Sequence, residues 1–309
     1  MRFNLFDTIF ILRPLILIVV WNFFLIGNYL ATRSRVLNKD VVLGLLIYTA
    51  LMGGVYILNQ ITDIETDRLN KKLFLLSEGY IPLRFAIMEM VIIWFFALAI
   101  GARFGWIFMI FILLSLLLGV FYSLPPVKLK GRPILDTLSN AIGYGMLNFA
   151  VGWLSQRPFE WSMFIKFLPY FLSISAVFIN TTIVDMEGDK KSGEITTAVF
   201  LGEKPAYLLS SVLMAVAVIV SLLMHDIICF IPSAIVLPLF LYLLLDYKKE
   251  NPASRKLTIL SFRLPGLIFT IITGYLYPPY LIFLFILIIG MKVYYKYRFG
   301  IVYPTLTQG

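Results

Sequence analysis

Residues 42–67 read VLGLLIYTALMGGVYILNQITDIETD, an uncharged run over 42–62 that is followed at once by Asp63, Glu65 and Asp67. An apolar run of about 20 residues is long enough to cross the hydrocarbon core of a bilayer as an α-helix. The three acids then stand where such a helix leaves the membrane. The stretch therefore predicts a transmembrane helix with a cluster of carboxylates at one end.

Apolar windows of similar length recur along the whole chain, and they predict ten spans. The windows are 10–31, 42–61, 80–101, 104–122, 135–154, 163–184, 206–224, 227–246, 257–275 and 278–295. The ninth is interrupted by Arg263 and Pro265. The connections leave no room for a separate soluble domain, so we expect an all-α polytopic membrane helix bundle, with residues 1–309 forming a single domain.

The composition excludes several classes of protein. The chain has 309 residues, of which 60% are hydrophobic and 14% are charged. Soluble domains contain about 25% charged residues, so a soluble enzyme, a nucleic-acid binder and a disordered chain are excluded. Cys229 is the single cysteine and His225 the single histidine, which rules out an intrachain disulfide and a zinc site built from histidines.

The formal net charge of +9 is explained by membrane topology. With a cytoplasmic N-terminus, 17 Lys and Arg residues lie on the cytoplasmic side and 5 on the other side. Lys and Arg accumulate on the cytoplasmic side of membrane proteins, so this bias needs no nucleic-acid partner. We expect a multi-pass protein in the plasma membrane of a prokaryote.

Two windows on the cytoplasmic side run against this basic bias. Residues 59–78 and 185–205 together contain nine of the 17 acids and six basic residues. The rule that places positive charge inside cannot produce a local excess of carboxylates. Either these acids are solvated groups that screen neighbouring lysines, or they form a binding site.

The spacing of the acids favours a binding site. Asn59, Asp63 and Asp67 follow one another at intervals of four, and Asp185 and Asp189 repeat that interval after the sixth span. Residues four apart share one face of a helix, where like charges repel each other. A divalent cation removes that penalty, and oxygen ligands without His or Cys indicate Mg²⁺. The sequence therefore predicts a magnesium site on the cytoplasmic side.

Basic residues next to these windows suit an anionic ligand. Tyr122 ends the fourth span, and Lys128 and Lys130 follow after Pro125 and Pro126. Arg68 and Lys190 adjoin the two groups of aspartates. A pyrophosphate leaving group requires such positive charge in addition to a metal. The spacing leaves open whether Lys128 or Lys130 makes the contact.

The fifth span carries a polar stripe, Asn140, Tyr144 and Asn148, at intervals of four residues. These side chains either line a cavity or join neighbouring helices. Glycines at 143, 145 and 152 favour close helix packing at least as much as they favour space for a substrate.

With these motifs the chain resembles the UbiA superfamily of intramembrane prenyltransferases. The resemblance rests on N-x-x-x-D-x-x-x-D at 59–67, D-x-x-x-D at 185–189, the tyrosine-lysine segment 122–130 and the Arg13-Pro14 pair. It implies a nine-helix core over about residues 10–275, and the apolar stretch 278–295 would be an appended tenth span. Two features depart from the family pattern: this tenth span, and Gln60, which stands where the family often has an aspartate.

The resemblance also implies roles for individual residues. The metal ligands would be Asn59, Asp63, Asp67, Asp185 and Asp189. The pyrophosphate would contact Lys128 or Lys130, with Tyr122 nearby. Arg68 and Lys190 remain candidates for the same anion because they adjoin the aspartates.

These observations predict Mg²⁺-dependent transfer of a prenyl group from an allylic polyprenyl pyrophosphate to a lipophilic acceptor, such as a quinone precursor or an isoprenoid glycerol ether. The alternative is a cation-coupled transporter, which also uses carboxylates within the membrane. A transporter predicts carboxylates near the bilayer midplane, whereas these lie at the ends of spans. A non-catalytic scaffold leaves the paired carboxylates unexplained.

Overall fold

The computed structural model describes residues 4–69, 74–246 and 252–301. Within these ranges the regular structure is entirely helical, which confirms the predicted all-α class. Nine of the described helices are long and apolar enough to cross a membrane. They are α1 (Pro14–Thr32), α2 (Lys39–Thr62), α3 (Leu83–Gly101), α4 (Trp106–Ser123), α6 (Leu168–Ser192), α7 (Glu203–Leu223), α8 (Ile227–Asp246), α9 (Pro252–Leu276) and α10 (Pro278–Phe299).

The fifth predicted span, which we call α5, differs from the continuous helix expected over 135–154. It consists of an α-helix over Leu135–Asn140, a π-helix over Ala141–Leu147 and an α-helix over Asn148–Leu154. A π-helical stretch changes the angle between successive side chains, so residues at intervals of four no longer share one face. Asn140 and Tyr144 consequently diverge from Asn148, as described below.

Several predicted boundaries also shift. The first span was expected from residue 10, but a short helix over Asp7–Phe10 precedes α1, and residues 11–13 separate the two, with a φ of 57° at Arg13. The sixth span was expected to end by 184, whereas α6 continues to Ser192. Asp185 and Asp189 therefore lie on the last turns of that helix and not beyond it. The ninth span is one continuous helix despite Pro265.

The backbone of α1 closely approaches that of the second half of α5. A Cβ atom placed on Gly152 would lie 1.9 Å from the Phe24 carbonyl oxygen, and one on Gly27 would lie 2.1 Å from that of Phe149. Only glycine permits this approach of two backbones, and small residues at helix interfaces are typical of membrane bundles. Gly152 thus has the packing role that the sequence suggested.

The tenth helix packs against the N-terminal segment. The Asp7 carboxylate is fully buried and accepts hydrogen bonds from the Tyr294 hydroxyl and the Arg298 guanidinium, whose Nη2 lies 3.2 Å from Oδ2. Phe10 stacks on Tyr294, with ring centroids 3.9 Å apart. Met291 and Tyr295 join the same apolar cluster as Phe10, Ile57 and Leu58, so the tenth helix is bound to the bundle at the end where α2 finishes.

Candidate functional site

The first group of carboxylates lies at the end of α2. Asp63 forms the C-cap of that helix, and the chain continues as a short helix over Ile64–Leu69. Asn59 donates from Nδ2 to Asp63 Oδ2 at 3.2 Å and to Ser123 Oγ at 3.4 Å. Asp67 is buried, with 8% of its surface exposed. Although α2 ends at Thr62, the Asp63 amide donates to the Asn59 carbonyl oxygen and the Asp67 amide donates to that of Asp63, so the three residues remain joined at intervals of four.

The segment between α4 and α5, residues 124–134, is called the basic loop below. Lys130 Nζ forms an ion pair with Asp63, and 10% of the Lys130 side chain is exposed. Lys128 Nζ instead lies 2.9 Å from Glu194 Oε1, and 42% of its side chain is exposed. The structure thus places Lys130 against the first group of carboxylates, and it places Lys128 nearer the surface.

The second group lies on the last turns of α6, beside the same loop. Asp185 is exposed, whereas Asp189 is half-buried and accepts a hydrogen bond from Thr196 Oγ1 at 2.9 Å. Lys190 is exposed. Because Glu194 contacts Lys128 while Lys130 contacts Asp63, the basic loop lies between the two groups of aspartates at one end of the bundle.

Arg68 occupies a different position from the other basic candidates. Its guanidinium donates from Nε and Nη2 to the Ser77 carbonyl oxygen at 3.0 and 2.8 Å. It thereby joins the short helix over Ile64–Leu69 to the one over Phe74–Ser77. This contact shows Arg68 stabilising the connection between α2 and α3.

A cavity of about 330 Å³ extends into the bundle from this end. Its polar lining includes Asn59, Tyr122, Ser123, Ser139, Asn140 and Tyr144, and its apolar lining includes Ile16, Met52, Val55, Leu118 and Phe178. Asn59 belongs to both the cavity wall and the carboxylate group, since it donates to Asp63. The end of the bundle that carries Asp63 and Lys130 therefore adjoins a chamber with aromatic and apolar walls.

The polar stripe of α5 serves both purposes that the sequence left open. Asn140 and Tyr144 line the cavity. Asn148 is fully buried and accepts a hydrogen bond from the Tyr48 hydroxyl at 2.8 Å, which joins α5 to α2. Gly143 lines the cavity, and the nearest atom to a Cβ placed there is 3.7 Å away, so it provides space and not close packing.

Tyr56 and Arg13 line the cavity but were not recognised as site residues from the sequence motifs. The Tyr56 hydroxyl lies 2.9 Å from that of Tyr144, which also lines the cavity. Arg13 entered only through the resemblance. Tyr56 lies three residues before Asn59 on α2, so the helical period could have identified it. An aromatic residue in an apolar span ordinarily has a packing role, so the sequence did not single out Tyr56.

The donor set is suited to a hard divalent cation. Within the ranges that the structure describes, no three His, Cys, Asp or Glu side chains are gathered closely enough to hold a metal by themselves. Mg²⁺ usually binds through one or two carboxylates together with waters and the phosphate oxygens of a substrate. The Asp63 carboxylate, together with the side-chain amide of Asn59 that donates to it from Nδ2, fits that mode of binding.

Comparison with known proteins agrees with this architecture. The chain is 31% identical over 207 residues to "Probable homogentisate phytyltransferase 2, chloroplastic" of Oryza sativa subsp. japonica, covering 60% of this chain and 54% of that protein. It is 29% identical over 181 residues to the digeranylgeranylglyceryl phosphate synthase of Sulfolobus acidocaldarius, covering 58% of this chain and 64% of that protein. The matched part of the chain thus spans 54% and 64% of the length of these two relatives.

A solved structure shares the fold. A UbiA homolog from Archaeoglobus fulgidus bound to GPP and Mg²⁺ superposes with a TM-score of 0.67 at 22% identity, covering 87% of this chain and 99% of that one. The model of the UbiA prenyltransferase family matches residues 20–264, which include both groups of aspartates and the basic loop. Together with the long apolar helices, this match identifies an integral membrane protein. The chain belongs to the UbiA prenyltransferase family.

Proposed function

We propose that this protein transfers a prenyl group from an allylic polyprenyl pyrophosphate to a lipophilic acceptor inside the membrane, with Mg²⁺ as cofactor. The observation that carries the proposal is the continuity between the Lys130–Asp63 ion pair and the cavity, which Asn59 provides. Anion-binding groups stand at the entrance, and an apolar chamber lies behind them. An amphiphile with a charged head and a hydrocarbon chain matches this arrangement.

The head group is assigned to the carboxylate end. Asn59, Asp63, Asp67, Asp185 and Asp189 would hold Mg²⁺, which when bound supplies positive charge against the phosphate oxygens. Lys130 donates to the same oxygens, and its partial burial strengthens the interaction because the local dielectric constant is lower than in water. Lys128, Arg68 and Lys190 lie farther out and contribute to the positive potential that attracts the anion.

The reaction begins with heterolysis of the allylic C–O bond, whose electron pair leaves with pyrophosphate. Lys130 stabilises the charge that develops on the leaving group. The aromatic faces of Tyr56, Tyr122 and Tyr144 along the cavity can stabilise the allylic cation. A nucleophilic carbon or oxygen of the acceptor then forms the new bond and loses a proton, while the enclosed walls exclude water that would capture the cation.

The names of the related proteins and the ligands of the solved homologue support this assignment. A phytyltransferase and a digeranylgeranylglyceryl phosphate synthase are among the relatives, and the solved homologue contains GPP and Mg²⁺. The acceptor class in the proposal stays as broad as those names, either a quinone precursor or an isoprenoid glycerol ether. The positive charges near the carboxylates indicate the cytoplasmic side for the site.

The transporter alternative has less support. It requires carboxylates near the middle of the spans, whereas Asp63 caps the end of α2, and Asp185 and Asp189 lie on the last turns of α6. Their neighbours Lys130 and Thr196 suit a phosphate-bearing ligand. The position of these groups therefore favours the transferase.

The test uses the purified full-length protein in lipid nanodiscs with Mg²⁺, a labelled series of prenyl pyrophosphates and a panel of acceptors. We expect pyrophosphate release and a prenylated product, and we expect Asp63→Ala and Asp185→Ala each to abolish both. Glu160→Ala is the matched control, since this exposed carboxylate follows α5 at the opposite end of the bundle. Unchanged turnover in both aspartate variants would refute the site, and solute transport without pyrophosphate release would favour the alternative.

A further inference from the structure

A short segment links the second group of aspartates to the basic loop. Residues 194–197 follow the end of α6, and each of them contacts a different partner. Glu194 pairs with Lys128, and the Ile195 amide donates to the Gly131 carbonyl oxygen at 3.3 Å. Thr196 donates to Asp189 at 2.9 Å. The segment therefore contacts the basic loop and one of the proposed metal ligands at once.

Thr197 makes the largest number of hydrogen bonds in this segment, and two of them go to Asp136. Both residues are 1% exposed, and Asp136 does not line the cavity. The Thr197 amide donates to Asp136 Oδ2 at 2.8 Å, and the Thr197 hydroxyl donates to Oδ1. The same hydroxyl accepts from the Ile134 amide at 2.9 Å and from the Thr137 hydroxyl at 3.0 Å. Its single proton and both lone pairs are thus in use.

The backbone of the basic loop needs such support. Ile134 has a φ of 69° and Lys128 a φ of 38°, values that residues other than glycine seldom adopt. For a β-branched residue such as Ile134 this conformation is strained, and strained residues persist only where the surroundings fix them. The bond from the Ile134 amide to Thr197 fixes this residue at the end of the loop that carries Lys130.

We propose that Thr196, Thr197 and Asp136 form a latch that holds Lys130 and Asp189 in one fixed arrangement for the pyrophosphate. These are positioning residues, and the inference rests on the proposed function because it concerns the same ligand. Thr196 holds Asp189 on one side, while Thr197 holds Asp136 and Ile134 on the other. The two threonines are adjacent in the chain. The basic loop and the end of α6, which carries Asp189, are therefore coupled through residues 196 and 197.

The latch changes the cost of binding the donor substrate. If the basic loop and the end of α6 moved independently, pyrophosphate binding would have to order both of them. The loss of conformational entropy would then weaken the affinity for the prenyl pyrophosphate. The acceptor, which enters the apolar cavity, would not bear this cost. A broken latch should therefore raise the KM for the prenyl pyrophosphate more than the KM for the acceptor.

The test compares two variants of the wild type. Thr197→Val removes the hydroxyl at nearly constant volume, whereas Thr197→Ser keeps the hydroxyl and removes the methyl group. We expect Thr197→Val to raise the KM for the prenyl pyrophosphate about tenfold or more, since small misplacements of binding groups cost up to about a hundredfold. The KM of Thr197→Ser for the prenyl pyrophosphate should lie within about threefold of the wild-type value. Thr196→Val breaks only the arm to Asp189 and serves as a second variant if Thr197→Val does not fold.

The matched control is Thr273→Val. Thr273 is fully buried, and its hydroxyl donates to the Phe269 carbonyl oxygen within α9 at 2.8 Å. This control should show the kinetics of the wild type even if its thermal stability falls slightly. An equal rise in the KM for both substrates in the Thr197 or Thr196 variant would indicate general loosening and would overturn the proposal.

A second readout needs no activity. Hydrogen–deuterium exchange of the full-length protein should show faster exchange at residues 128–136 in Thr197→Val than in the wild type or Thr273→Val. Wild-type exchange in this segment, or a wild-type KM for the prenyl pyrophosphate, would overturn the latch. If the wild-type protein does not turn over any prenyl pyrophosphate, the proposed function fails, whereas the exchange experiment still decides whether the latch exists.

Discussion

Lys130 and Asp63 form an ion pair that joins the basic loop to the end of α2. The two residues are 67 positions apart in the chain, and they meet where Asn59 begins the cavity wall. A lysine held there by a carboxylate is already ordered before an anionic ligand arrives. Lys128, two residues earlier, is also paired with a carboxylate, that of Glu194, but 42% of its side chain is exposed against 10% for Lys130, so burial distinguishes Lys130.

The two lysines should therefore differ in their effect on turnover. We expect Lys130→Met to lower kcat/KM for the prenyl pyrophosphate by about a hundredfold, which is typical for removal of one group that stabilises developing negative charge. Lys128→Met should lower it by less than about fivefold, because water and salt screen the charge of this exposed lysine. Steady-state pyrophosphate release measures both. Equal losses in the two variants would contradict the assignment of Lys130.

Because α1 and α5 approach each other closely, adding a single methyl group at Gly152 should clearly destabilise the bundle. Gly152→Ala would place Cβ 1.9 Å from the Phe24 carbonyl oxygen, so the helices must separate. Overpacking of this kind costs about 1–3 kcal/mol or more, and we expect a clear fall in the Tm measured in detergent. Gly290→Ala is the control, because nothing lies within 4 Å of a Cβ there. A Tm for Gly152→Ala equal to that of the control would argue against this packing.

Replacing Gln60 with glutamate should lower the stability of the bundle, because the two side chains have nearly the same shape but differ in charge and hydrogen bonding. Its buried amide donates from Nε2 to the Ile11 carbonyl oxygen at 2.7 Å and to that of Tyr56 at 3.0 Å. Gln60→Glu would replace the donor with an acceptor facing two acceptors, a loss of about 1–3 kcal/mol for the unsatisfied groups. We expect a lower Tm and no gain in activity, although the family often has an acidic residue here.

Gln156→Glu is the control for Gln60→Glu. Gln156 exchanges hydrogen bonds with Asn38 near the surface at the opposite end of the bundle. Its substitution should leave the Tm almost unchanged, because water can replace the lost partner. Higher Mg²⁺-dependent activity in Gln60→Glu would show that this position contributes to the metal site after all.

The tenth helix should contribute to the stability of the bundle through Asp7. Removing the guanidinium in Arg298→Ala deprives a fully buried carboxylate of a charged partner, which is strongly destabilising in proteins. We expect the Tm to fall by several degrees, and we expect Arg298→Lys to recover part of the loss. Lys292→Ala alters an exposed charge on the same helix and should have little effect. Similar Tm values for Arg298→Ala and Lys292→Ala would contradict this role.

The sequence predicted the membrane helices well because hydrophobic length is a local property. Nine of the ten windows correspond to single long helices. The exception is α5, where the π-helix over Ala141–Leu147 could not be read from periodicity, since the pattern of apolar residues does not record a local change of helical period. The end of α6 lies eight residues beyond the predicted window for a related reason. That end is polar, so an apolar window does not locate it.

The chain by itself determined the spans, the bias of charge and the two groups of aspartates, because these depend on residues close together in the sequence. The tertiary structure decided which lysine faces Asp63, where the Gln60 amide points, and how Thr197 reaches Asp136. Each of these contacts joins segments at least 49 residues apart. Their geometry follows from the packing of whole helices, and no local pattern in the sequence records which distant side chains such packing brings together.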